Sequence, residues 1–197
     1  MAPNRVLRAV LVATALVMAA CGSPGSGKTP IDPEAGRTPG TQVGEPASPR
    51  HVQIYSAVIH QIIRVDNTFG GADGDVPFDH VLIDTIVGGD RSGSADDGDE
   101  GESMAPEMRD ALQAELSDLP DVRFVEGDEA VNEDEGGLKM DGAALVSLGT
   151  IPDGADRVEV KVGMLCGSLC GTWLTYVVEA ATDGWKVTGT TGSVGIS

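Results

Sequence analysis

The chain has 197 residues, of which 41% are hydrophobic and 22% are charged, and its formal net charge is −18. This acidic balance disfavours binding to nucleic acid and to anionic lipid surfaces, since both would repel the chain. The length fits one globular domain with shorter flanking segments, and the charge itself favours solubility.

The first twenty residues have the layout of an export signal. Arg5 and Arg8 precede an apolar run over residues 9–20. As a helix this run would extend about 18 Å, whereas a bilayer core is about 30 Å thick. A charged start, a short apolar middle and a small-residue end are typical of a cleavable signal peptide, which we assign to residues 1–20.

The residues at the end of this signal predict a further modification. Met18, Ala19 and Ala20 stand directly before Cys21, and this ending resembles the lipobox of bacterial lipoproteins, with Met18 in the place of the usual leucine. The resemblance implies cleavage before Cys21, lipidation of its thiol by diacylglycerol, and often a further acyl chain such as palmitate on its new amino group. Two or more acyl chains, at about 0.8 kcal/mol per buried CH₂, would anchor the protein to the extracytoplasmic face of the cell membrane. The alternative is an ordinary secretory peptide followed by a chance cysteine.

A phosphate-loop pattern follows Cys21. Residues 22–29 match G-x-x-x-x-G-K-[ST] at every specified position, but that loop needs a strand before it and a helix after it. Here a signal peptide precedes it and prolines follow, so we expect no nucleotide binding. Residues 21–47 instead predict a lipidated cysteine and a flexible tether rich in Pro and Gly, with a mean reach of about 28 Å.

Residues 48–197 form the predicted globular domain. Pro49 directly follows Ser48 and precedes apolar residues at helical spacing, which predicts a helix over about residues 49–65. A second helix is predicted to begin at Pro106 and to be closed by Pro120.

The rest of the domain favours β-structure. Predicted strands cover residues 80–87, 122–125, 143–148, 157–165, 172–180 and 185–190. The last three are close in sequence, and Thr182-Asp183-Gly184 provides a turn between two of them. We therefore predict an α+β fold, with two helices packed on a mainly antiparallel sheet that ends in a C-terminal meander. The final strand pair also resembles the C-terminal hairpins of uncharacterised small exported α+β proteins, including cone-shaped folds of the nuclear transport factor two kind.

Two cysteines stand in Cys166-Gly167-Ser168-Leu169-Cys170. In an extended strand their Cα atoms would be about 13 Å apart, beyond the roughly 7 Å limit for a disulfide. A disulfide between Cys166 and Cys170 therefore requires a turn at Gly167-Ser168, where a hairpin loop is expected. Outside the cell such a pair is free to oxidise, and the C-x-x-x-C spacing argues against redox catalysis.

Recognised catalytic motifs are missing from the sequence. His51 and His60 lie on opposite sides of the first predicted helix. His80 and Asp84 have the spacing for one face of a strand, so a metal site there is an open alternative to a histidine at a strand edge. The acidic stretch over residues 96–102 lacks the ligand order of a calcium loop and predicts a solvated loop. We accordingly assign no catalytic, cofactor-binding or metal-binding residue.

The sequence leaves two functions open. The first is a membrane-anchored extracytoplasmic lipoprotein that acts as a non-enzymatic binding or accessory module for an exported protein or a cell-wall partner. The second is a small exported hydrolase or metal-dependent enzyme that uses His80 with nearby carboxylates.

Overall fold

Three helices and ten strands make up the part of the chain that the computed structural model describes, namely residues 47–67, 75–89, 91, 101–132, 134 and 136–196. The helices are α1 (Pro49–Arg64), α2 (Pro106–Glu115) and α3 (Gly127–Ala130). The strands are β1 (His80–Asp84), β2 (Ile86–Val87), β3 (Glu102–Ser103), β4 (Val122–Val125), β5 (Val131–Asn132), β6 (Gly137–Leu138), β7 (Ala143–Leu148), β8 (Arg157–Gly167), β9 (Cys170–Ala181) and β10 (Gly184–Ile196).

Helix α1 forms where its sequence pattern predicts it. Pro49 occupies the first turn, where its missing N–H would have no intrahelical partner. The apolar residues recur every three or four positions, and eight residues of the helix are buried. The helix ends at Arg64, one residue before the predicted end.

Six strands form one sheet in the order β10-β9-β8-β7-β1-β4. The pairs β7–β8, β8–β9 and β9–β10 are antiparallel, which confirms the predicted C-terminal meander and the mainly antiparallel sheet. Strand β1 pairs parallel with both β7 and β4, and Ile83 stands opposite Val146 on one side and Phe124 on the other. This mixed pairing is possible because the crossover from β1 to β4 is long enough to contain α2.

The two faces of the sheet are covered differently. The main hydrophobic core joins α1 and α2 to one face, where Ile59, Leu112 and Val146 are fully buried. These contacts confirm the α+β arrangement of two helices packed on a sheet. The opposite face carries a smaller apolar cluster in which Leu82 and Leu145 pack under the segment from α3 to β6.

The second hairpin of the meander is closed by Thr182 and Asp183, and Gly184 follows with a φ of +126° that favours glycine. The first hairpin of the meander, between β8 and β9, is closed by Ser168 and Leu169. A register shift lies between Leu165 and Gly167.

A disulfide joins Cys166 to Cys170 across the first hairpin, with their Cα atoms 5.1 Å apart. The predicted disulfide pairing is thus present, and the turn lies one residue later than predicted, at Ser168-Leu169. The cross-link closes a short loop, so we expect it to stabilise the fold by only about 2 kcal/mol.

Three predicted elements differ from those observed by more than two residues at one end. The apolar run over residues 80–87 divides at Thr85, because Ile86 and Val87 leave the main sheet to pair with β3. Helix α2 ends at Glu115, so the apolar spacing up to Leu119 continues past the helix. Strand β10 extends to Ile196, beyond the predicted end at Thr190.

Residues 1–46 and 92–100 lie outside the described residues, and with them the predicted signal peptide, Cys21, the phosphate-loop pattern and most of the tether and acidic stretch. Among the helices that are described, none has the length and apolar character needed to span a bilayer.

Candidate functional site

The most polar buried position in the sheet is Asp84, the last residue of β1. It lies at the carboxyl end of β1, which is parallel to both of its neighbours, and in open α/β sheets this end of the parallel strands commonly binds ligands. Ser147, near the end of the neighbouring β7, is also buried. The two side chains point to the same face of the sheet, because Asp84 and Leu82 alternate with Ile83.

Asp84 connects four separate parts of the chain through its carboxylate. Its Oδ1 accepts hydrogen bonds from the backbone N–H groups of Ile86 at 2.9 Å and Gly127 at 3.2 Å. Its Oδ2 accepts one from the Ser147 hydroxyl at 3.4 Å and lies 3.9 Å from Arg91 Nε. Since only 3% of Asp84 is exposed, these partners replace the water that a buried carboxylate loses.

Arg91 lies at the surface end of this network. Its guanidinium pairs with Asp84 through Nε and with Asp128 through Nη2, and 36% of its side chain is exposed. Its backbone carbonyl accepts a hydrogen bond of 3.1 Å from the indole N–H of Trp173. Arg91 therefore links β1 and α3 to the antiparallel half of the sheet.

Two glycines flank Trp173 on the neighbouring strands. Gly163 of β8 and Gly195 of β10 are its partners in the two ladders. A Cβ on Gly163 would come within 3 Å of the Arg91 carbonyl and the Trp173 ring. The absence of a side chain at Gly163 thus allows Arg91 and the indole to lie directly on the sheet.

A cavity of about 80 Å³ opens between these groups. The described residues that line it are Arg91, Leu145, Ser147, Gly163, Met164, Leu165 and Trp173. Pockets that enclose a whole drug-sized ligand measure about 300–1,000 Å³, whereas this one holds roughly six water-sized positions. The cavity therefore suits one chemical group of a larger partner.

The candidate residues predicted from the sequence lie outside this cavity. The disulfide between Cys166 and Cys170 lies at the tip of the first hairpin and contributes nothing to the cavity lining. His80 begins β1, four residues before Asp84, and its Nδ1 is 2.6 Å from Asp121 Oδ2. His80 and Asp84 share a face of the strand, as their spacing indicates, but lie about 13 Å apart along it. No cluster of three metal-ligating side chains occurs within the described ranges.

A second polar cluster joins α1 to the segment after α2, and sequence reasoning missed it. His60 Nδ1 lies 2.8 Å from the Ser56 carbonyl, and His60 Nε2 lies 2.9 Å from Asp118 Oδ1. Arg64 Nη2 donates to Asp118 Oδ2 at 2.9 Å. A serine, a histidine and an aspartate stand in line here, but Nδ1 already contacts a backbone carbonyl and Ser56 is only 8% exposed. The arrangement fits helix docking better than nucleophilic catalysis.

The sequence did contain one signal for the Asp84 site. Asp84 is a single acid within an apolar run, and a carboxylate in such a place needs buried partners. Sequence reasoning considered only His80 as its partner. Arg91, Ser147 and Trp173 have no sequence spacing that connects them with Asp84.

We predict that Gly127→Ala destabilises the protein. A Cβ at this position would come within 3 Å of Asp84 Oδ2 and Arg91 Nε, which would force the network apart. The expected loss in the free energy of unfolding is about 1–3 kcal/mol, measured by urea denaturation. Gly189→Ala is the matched control, because nothing lies within 4 Å of its added Cβ. Equal stability of the two variants would contradict this account of Gly127.

A pH dependence follows from Asp118. The hydrogen bond from His60 lowers the pKa of the Asp118 carboxyl, and the charges of His60 and Arg64 lower it further. Because the folded-state pKa is depressed, the ionised carboxylate stabilises the fold above about pH 4, and this contribution is lost as the pH falls further.

Asp118→Asn should therefore lower the urea midpoint at pH 6 and approach the wild type below about pH 3. The difference at pH 6 should stay below about 1 kcal/mol, since the side chain is 58% exposed and solvent screens it. Asp110→Asn controls for the loss of an exposed charge on α2. A difference that persists unchanged at low pH would argue against the His60 contact as its cause.

Comparison of this chain with protein-family models, with curated proteins and with solved structures gives no match.

Proposed function

We propose that this protein is a membrane-anchored extracytoplasmic lipoprotein whose globular domain acts as a non-enzymatic binding or accessory module. The short apolar run that ends in Ala19-Ala20-Cys21 supports the lipid anchor. Because the formal net charge is −18, electrostatic attraction would not hold the domain at an anionic membrane, and the acyl chains would have to do so.

The observation that carries the binding role is the cavity beside Arg91 and Trp173. It combines an arginine, a buried hydroxyl and an aromatic ring with apolar lining residues. Ligand sites commonly use this mixture of groups. A carboxylate buried at Asp84 holds the arginine in place. Such a pre-organised site suits the recognition of one group on an exported protein or a cell-wall component.

The enzymatic alternative has less support. His80, the residue on which it depends, is paired with Asp121 at the amino end of β1, whereas the cavity lies at the other end of that strand. The polar side chains in the cavity lining are Arg91 and Ser147, and Ser147 donates its hydroxyl to Asp84. The carboxylate that Ser147 contacts is itself held by two backbone N–H groups and Arg91, and no histidine is among the described cavity residues.

We predict that Cys21→Ser releases the protein from the membrane. The substitution removes the thiol that would carry diacylglycerol, and no electrostatic attraction replaces the lost acyl chains. The measurements are incorporation of labelled palmitate and detergent-phase partition of the full chain. A double variant, Cys166→Ser with Cys170→Ser, is the matched control and should stay lipidated. Labelling that is retained in Cys21→Ser would exclude Cys21 as the attachment point.

The binding role is tested by site-specific photocrosslinking of the full chain in intact cells that export it. A photoreactive residue at Thr175, two positions from Trp173 on the same face, should capture an envelope component. The same residue at Gln113, exposed on α2 behind the other face of the sheet, should not. Identical adducts from both positions, or none from Thr175, would count against a binding site on this face.

A further inference from the structure

We propose that the cavity beside Arg91 and Trp173 binds the acetamido group of an uncharged N-acetylated sugar. This inference rests on the proposed binding function and names the ligand class for that site. Three properties of the cavity support this assignment, namely its volume, the charge around it and the polar and apolar groups that line it.

The volume selects a small group on a larger ligand. A cavity of about 80 Å³ has room for roughly six water-sized positions. A carbonyl, a nitrogen and a methyl group fit such a space, while a complete sugar ring does not. The ring would lie outside the cavity mouth, where Trp173 is part of the wall and remains partly exposed.

The charge around the cavity favours a neutral ligand. One guanidinium at Arg91 lies between two carboxylates, Asp84 and Asp128. An anionic group would meet a site whose positive charge is already compensated, on a chain whose formal net charge is −18. A cationic group would face the guanidinium itself, because Arg91 lines the cavity whereas Asp84 and Asp128 do not. A neutral hydrogen-bonding group avoids both penalties.

The polar groups of the lining match a secondary amide. Arg91 uses Nε and Nη2 for its ion pairs with described residues, which leaves Nη1 to donate to a carbonyl oxygen. Ser147 donates its hydroxyl to Asp84, so the lone pairs of its Oγ can accept an amide N–H. The site thus offers one donor and one acceptor, as an acetamido group requires.

The apolar groups of the lining suit the remainder of the ligand. Leu145 and Leu165 form part of the wall, and a methyl group would bury against them. The indole of Trp173 has glycine on both neighbouring strands, so no side chain stands beside it at Gly163 or Gly195. Its partly exposed ring can therefore contact the C–H groups of a sugar ring.

The test is calorimetric titration of the full chain in detergent with three neutral probes. Triacetylchitotriose should bind, whereas cellotriose, with hydroxyl groups in place of the acetamido groups, should bind at least about tenfold more weakly. N-acetylalanine methylamide carries amide groups without a sugar, and it should also bind at least about tenfold more weakly. Equal binding of cellotriose would overturn the acetamido assignment, and equal binding of the peptide probe would overturn the sugar assignment.

Two pairs of variants place the ligand in the cavity. Trp173→Phe and Arg91→Met should each weaken triacetylchitotriose binding by about tenfold. Trp185→Phe and Arg157→Met, on β10 and at the exposed start of β8, should leave it unchanged. Loss of binding in the control variants, or unchanged binding in the cavity variants, would overturn the assignment.

The outcome also separates this inference from the function on which it rests. If none of the saccharides binds but the photoreactive residue at Thr175 still captures an envelope component, the binding module stands and the sugar assignment fails. If neither result is obtained, both proposals fail.

Discussion

The carboxylate of Asp84 is the interaction on which the described arrangement of this domain most depends. A charge buried to 3% exposure is costly unless donors surround it. The donors come from the turn after β1, from the start of α3, from β7 and from Arg91. The carboxylate thereby links four parts of the chain at one point. The same network pairs the Arg91 guanidinium with two carboxylates, and an arginine that is ordered before binding reduces the entropy that a ligand would have to remove.

Two glycines allow the close approaches on which the Asp84 network and the cavity depend. Gly127 lets the start of α3 approach Asp84, and Gly163 lets Arg91 and Trp173 lie on the sheet. At both positions a methyl group would occupy space that a polar atom now fills. The site therefore requires glycine at these two positions. Most of the buried apolar side chains of the domain lie in the larger core on the other face of the sheet.

Some of this structure could be predicted from the sequence and some could not, for physical reasons. Helix α1 and the C-terminal meander depend on local patterns, such as Pro49 after Ser48 and the turn before Gly184, and both were predicted. The parallel pairing of β1 depends on contacts between strands far apart in sequence, which no local pattern specifies. The segment from α3 to β6 is too short and too polar to show a periodicity. The cavity was missed for a related reason, because Arg91 and Trp173 are 82 residues apart and meet only through the sheet register.

Strand β7 has a further consequence for how the cavity comes into existence. It is the one strand of the main sheet with a parallel neighbour on one side and an antiparallel neighbour on the other. The strand residues that line the cavity lie on β7, β8 and β9, whereas Arg91 is held by Asp84 from the parallel half, so the complete site needs both halves. The antiparallel half is built from hairpins with local contacts, whereas the parallel half needs long loops to close, and such contacts generally form more slowly. The cavity should consequently be among the last features to form during folding and among the first to be lost when β1 separates from β7.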